Sequence, residues 1–105
     1  MDIITDVAIE NGPTLPRGYA LEQNYPNPFN PSTTIEFEIP ESQNVTIEVF
    51  NLLGQKVATL LSGFIQAGPN SVKFNAQVLP SGVYVYRIVT EKKGVIASKK
   101  MVILR

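Results

Sequence analysis

Glu36 and Glu38 are the residues whose type and spacing come nearest to a catalytic pair. In Thr33-Thr-Ile-Glu-Phe-Glu-Ile39 they would share one face of a β-strand, with Cα atoms about 7 Å apart. Paired carboxylates at such distances serve glycoside hydrolysis. Same-strand glutamates also make the polar outer face of a half-buried strand, and the rest of the chain favours that reading. The 105 residues contain no histidine, the commonest general base and metal ligand, and no cysteine for a thiolate, a disulfide or a metal site. No glycine-rich phosphate loop, metal-spaced ligand cluster or nucleophile elbow occurs. No catalytic residue, metal ligand or cofactor is therefore expected, and the chain reads as a non-enzyme. Asn44-Val-Thr46 fits a glycosylation sequon, a three-residue signal whose use depends on the host.

The aromatics allow a second kind of chemistry, stacking on sugars. Tyr19, Tyr25, Phe29, Phe37, Phe50, Phe64, Phe74, Tyr84 and Tyr86 could do so in principle, and tryptophan is absent. Phe37 and Phe74 fall in inward registers, and core packing accounts for most of the others. Phe50 shares the outward register of Glu48, which places it under a loop. Tyr19 and Phe64 are left as exposed candidates, and they motivate one alternative, a carbohydrate-binding module.

Charge is balanced overall but not along the chain. Residues 1–48 carry eight acids and one base, Arg17, a net of −7, whereas residues 92–105 carry five bases and no acid. Zero total charge gives no bulk argument for nucleic acid or an anionic membrane as partner. The basic end reads either as a solvated strand face or as an edge offered to a partner. No run of about 18 apolar residues is present, so no helix is expected to span a membrane. Met1–Pro13 lacks a basic n-region before an apolar block and is not a secretory signal. An exported protein would then carry its leader upstream, or its address elsewhere.

The elements that must position these residues follow from a period of two. Ile35, Phe37 and Ile39 alternate with the two glutamates, and Val45, Ile47 and Val49 alternate with Thr46 and Glu48. Further strands are expected at 55–61 (broken by Ser62-Gly63), 71–75, 83–90 and 95–104, with turns at 40–44, 51–54, 67–70, 79–82 and 91–94. Val83–Thr90, apolar at nearly every position, belongs in the middle of a sheet or beneath loops. The expected fold is an all-β, immunoglobulin-like β-sandwich of about seven antiparallel strands, without the cysteine pair and tryptophan of antibody domains. Residues 1–18, interrupted by Gly12-Pro13, Pro16 and Gly18, read as a linker from an upstream domain, and 19–105 as the folded unit. Tyr25-Pro-Asn-Pro-Phe-Asn-Pro31 opens that unit. Its prolines forbid a helix, preorder the segment and let Phe29 drop into one end of the sandwich.

Four runs in order resemble one family. Leu21-Glu-Gln-Asn-Tyr-Pro-Asn-Pro-Phe-Asn-Pro-Ser-Thr-Thr-Ile35 resembles the opening of the C-terminal sorting domains of the type IX (Por) secretion system. The likeness continues through Val49-Phe-Asn-Leu-Leu-Gly-Gln-Lys-Val57, Leu79-Pro-Ser-Gly-Val-Tyr-Val-Tyr-Arg87 and Lys99-Lys-Met-Val-Ile103. It covers about residues 19–105, and the immunoglobulin-like domain of flagellar hook-capping proteins is related. The resemblance implies an address label that follows a covalently linked cargo and directs it across the outer membrane. It also implies recognition by the outer-membrane secretion machinery and removal by a sortase-like peptidase, with periplasmic transit and delivery to the cell surface or beyond. By the same resemblance Lys100, Val102, Leu104 and Arg105 are the recognition residues, while Pro26, Asn27, Pro28, Phe29, Gly82 and Tyr84 serve the fold. A monomer is expected, with no nucleic-acid partner and no transmembrane segment. Where many members show a histidine and then Trp-Asp after the Ala-Gly pair, this chain has Asn70, Phe74 and Asn75. A structural hook-cap-like domain is the remaining alternative.

Overall fold

Side chains that alternate in polarity decide which way each strand faces. The computed structural model describes residues 15–105, which form seven strands: β1 (Ala20–Leu21), β2 (Ser32–Ile39), β3 (Gln43–Phe50), β4 (Lys56–Ile65), β5 (Gly68–Asn75), β6 (Gly82–Thr90) and β7 (Gly94–Ile103). They make two antiparallel sheets, β1-β2-β5 and β4-β3-β6-β7. Ile35, Phe37 and Ile39 of β2 and Phe74 of β5 form the inner face of the first sheet. Val45, Ile47, Val49, Tyr84, Tyr86, Ile88, Met101 and Ile103 face them from the second, and all are buried in one core. This is the immunoglobulin-like sandwich expected, with no helix among the described residues. Of the expected linker, residues 1–14 lie outside the described residues, and Leu15 packs against the core.

Several local expectations need correction. The third strand does not stop at Ser62-Gly63 but runs to Ile65, because Ser62 pairs with Thr46 and Gly63 with Val45 of β3. Register shifts at Ile47/Glu48 and Val49/Phe50 spread its exposure over both faces, which hides the period of two. β5 begins at Gly68 and takes in Pro69, tolerable because β5 is an edge strand. β6 lies inside its sheet, between β3 and β7, as expected, and on its outer face Val83 is exposed and Val85 and Val89 half-buried. β7 ends at Ile103, leaving Leu104 beyond it.

One aromatic also sits elsewhere than expected. Tyr19 is buried, its hydroxyl accepting from Gln43 Nε2 at 3.1 Å, so it presents no stacking face. Phe50 is half-buried on the outer face, in a hollow it shares with the 51–54 turn, and the Arg87 guanidinium lies over its ring, 4.7 Å from the centroid. The turn at 51–54 is as expected. Asn51 Oδ1 accepts from the backbone N–H groups of Leu53 and Gln55, and Gly54 supplies a φ of 85°.

Candidate recognition site at the terminal strand

As the last strand of its sheet, β7 pairs with β6 on one side and would leave alternate backbone groups open on the other. From the Lys100 carbonyl to the Leu104 N–H those groups are taken by the Gln23–Phe29 segment. Gln23 Nε2 donates to the Lys100 carbonyl at 2.7 Å, and Asn27 Oδ1 accepts from Val102 N–H at 2.9 Å. Phe29 N–H donates to the Val102 carbonyl at 3.0 Å, and the Phe29 carbonyl accepts from Leu104 N–H at 3.0 Å, a parallel bridge. The proline-rich segment is thus a seal on the terminal strand. Its Tyr25–Pro26, Asn27–Pro28 and Asn30–Pro31 peptides are cis.

The same segment also holds the first sheet. Tyr25 exchanges backbone hydrogen bonds with Thr34 of β2, at 2.9 and 3.0 Å. Between the sheets, the buried Tyr86 hydroxyl donates to the Glu22 carbonyl at 2.7 Å and accepts from Asn24 N–H at 2.9 Å. Burial pushes the Tyr86 phenol up to about 12, with only partial offset from the Asn24 bond. The buried Asn24 side chain donates to Thr33 Oγ1 at 2.9 Å and to the Pro26 carbonyl at 3.1 Å, and Thr33 Oγ1 donates to that carbonyl at 2.8 Å. Gln23, Asn24, Thr33 and Tyr86 were missed as a unit by sequence reasoning. Their one visible signal was an Asn and a Thr flanking a proline-rich run, residues that satisfy backbone groups no ladder can reach.

Each expected site residue has a place. Lys100 and Val102 point out of the second sheet, opposite Val85 and Val83 of β6. Leu104 is exposed. Arg105 is tied to the β5–β6 loop: its N–H meets Ser81 Oγ at 2.9 Å, Nε meets the Leu79 carbonyl at 3.1 Å, and Nη2 meets Leu79 and Ala76 carbonyls. That assignment gives Arg105 a fastening role. Pro26 and Pro28 are exposed on the seal, whereas Phe29 is 2% exposed and packs against Phe74 with ring centroids 6.0 Å apart. Gly82 opens β6 with a φ of 155°, and Tyr84 is buried with its hydroxyl donating to the Pro80 carbonyl at 2.8 Å. Such a bond back to the preceding corner fixes the strand's start, as in the tyrosine corner of immunoglobulin-like sandwiches. Glu36 and Glu38 lie exposed on the outer face of the first sheet, along a hollow that Glu22, Asn70 and Ser71 also line.

On the outer face of the second sheet, Glu48 receives Arg87 Nε at 3.0 Å and Lys56 Nζ at 3.5 Å. The hydrogen bond from Arg87, more than the nearby lysine, holds the Glu48 carboxyl below its ordinary value of 4.5. A lowered folded value means that Glu48 contributes stability above the unfolded value and loses it as pH falls through the folded one. The gap in Tm between the native chain and Glu48→Gln is therefore expected to close as pH falls from about 7 to about 3. A gap that is constant across that range would contradict the pairing.

The described residues thus form an immunoglobulin-like sandwich whose last strand is sealed by its own opening motif. Residues 23–104 match the family described as the secretion system C-terminal sorting domain. The chain belongs to that family, and it is a type IX C-terminal sorting signal. A likeness of fold alone links it to the dimeric latent PorU from Porphyromonas gingivalis, with a TM-score of 0.65 and 22% identity. That match covers 82% of this chain and 9% of the PorU chain, so it spans under a tenth of that neighbour's length. The β-glucosidase from Kluyveromyces marxianus aligns over 83% of this chain and 14% of its own at 9% identity, with a TM-score of 0.45, too low to support an argument. No curated protein matches the sequence. Membership in a sorting-signal family implies recognition by secretion machinery, attachment to a cargo and export to the cell surface or extracellular space. No helix among the described residues is long and apolar enough to cross a membrane.

Proposed function

We propose that residues 19–105 act without catalysis as the address of a cargo joined through residues 1–18, with Lys100 and Val102 as the contacts that the outer-membrane machinery reads. The cargo crosses the periplasm and then the outer membrane, and a sortase-like peptidase removes the domain afterwards. The observation that carries this reading is the division of labour at the C-terminal strand. Phe29, Tyr84 and Arg105 are committed to packing or to backbone carbonyls, whereas the side chains of Lys100 and Val102 stand out of the sheet with no such role. A side chain that folding does not use is free for recognition.

The test is an inert reporter fused to the full chain in a host with a type IX system. Export is expected with the native chain and a loss of about tenfold with Lys100→Ala plus Val102→Ala. Export of that double variant at the native level would remove both from the recognition site. The carbohydrate-binding alternative has lost the stacking face of Tyr19, which is buried.

A further inference from the structure

We propose that the machinery reads this domain across the outer face of β6 and β7, using an apolar strip rimmed by carboxylates, and not by adding a strand to the 100–104 end of the β7 edge; this rests on the sorting reading above. Strand addition needs a row of open N–H and C=O groups. From Lys100 to Leu104 that row is filled by Gln23, Asn27 and Phe29. Reopening it would draw Phe29 out of the core, where it is buried against Phe74.

The face offers what the edge withholds. Tyr84, Tyr86 and Met101 point inward, so Val83, Val85, Lys100 and Val102 alternate outward as two facing pairs. Two hollows meet at Val85 and Ser98; one reaches the exposed Leu52 at its far side, and the other is flanked by Lys99 and Lys100. Neither β6 nor β7 contains an acid, and Glu48, the carboxylate nearest on this face, is engaged by Arg87 and Lys56. Among the described residues Lys100 has no ion pair. Valines edged by the unpaired Lys100 are complementary to an apolar strip edged by carboxylates, and desolvating such a pair gives both affinity and register.

The experiment compares export of a reporter fused to the full chain for Lys100→Glu, Lys100→Arg and the Val83→Thr plus Val85→Thr pair, in which threonine keeps the β-branched shape. Lys100→Glu and the threonine pair are each expected to lower export about tenfold or more, and Lys100→Arg, which keeps the charge, by about threefold at most. Melting of the purified full chains checks that each variant folds. A photo-crosslinking residue placed at Val85 in the otherwise native chain is expected to form adducts with the machinery, and one at Glu38 none. Native-level export of both Lys100→Glu and the threonine pair, with export abolished by deleting 100–105, would overturn face reading and leave the sorting reading standing. Equal loss in Lys100→Arg and Lys100→Glu would overturn the acidic partner, and adducts at Glu38 alone would overturn the choice of face. Retention of the native fusion would overturn both readings.

Discussion

Phe29→Ala is expected to cost about 3–5 kcal/mol and to lower Tm by roughly 15 °C or more. Phe29 is 2% exposed, so the variant loses the transfer free energy of a whole ring. It also leaves a hole beside Phe74 that Ala76 and Ile103, fixed in the same core, are poorly placed to fill. The loss extends further, because the Phe29 backbone closes the parallel bridge to Val102 and Leu104. Slackening there opens the edge of the terminal strand as well as the core. Phe29→Leu, which keeps most of the volume, should recover more than half of the stability. Thermal or urea melts of the full chain measure both. A loss below about 1 kcal/mol for Phe29→Ala would mean that the ring is not an anchor.

Tyr86→Phe is expected to cost about 2 kcal/mol although it removes a single oxygen. The hydroxyl serves two backbone groups at once, the Glu22 carbonyl and Asn24 N–H, at a place where neither belongs to a ladder. Deleting it strands a donor and an acceptor in the seam between sheets, and an unmade buried hydrogen bond costs more than a made one contributes. Tyr86 in the native chain gives the same site a spectroscopic signature. A phenol pushed up to about 12 stabilises the fold below the unfolded value of 10 and loses that contribution as pH rises from 10 toward 12. In ultraviolet titration one tyrosine should therefore ionise late, together with unfolding, and Tyr86→Phe should remove that late step. A variant as stable as the native chain, with the late step unchanged, would contradict the network.

The sandwich was legible because alternation is strict over Thr34–Ile39 of β2 and Val45–Val49 of β3: each inward residue there is Ile, Val or Phe and each outward one is Thr or Glu. β4 was cut short because its bulges expose small and large residues on both faces, and a period of two cannot be read through a register shift. Phe29 could be foreseen as an anchor, since it is the one apolar residue in a run whose prolines fix the chain. The seal could not be foreseen, because it joins Gln23 and Asn27 to residues more than seventy positions away by hydrogen bonds to backbone, which leave no mark in the identity of the partner. For the same reason nothing in the sequence showed that Arg105, expected among the recognition residues, bonds its guanidinium to the Ala76 and Leu79 carbonyls. Lys100 and Val102 are different. Their outward register is set by Met101 and Ile103 pointing in, and what would bind them is a property of another molecule.

Hydrogen exchange at the amides of Val102 and Leu104 tests the seal most directly. Those two N–H groups point away from β6, toward Asn27 Oδ1 and the Phe29 carbonyl, whereas the intervening Ile103 amide is turned toward β6. In the full chain Val102 and Leu104 should exchange as slowly as Ile103, through global unfolding, and Asn27→Ala should release Val102 first. Fast exchange at Val102 and Leu104 in the native chain beside a protected Ile103 would show an open edge, and would contradict the view that the proline-rich motif exists to close the terminal strand.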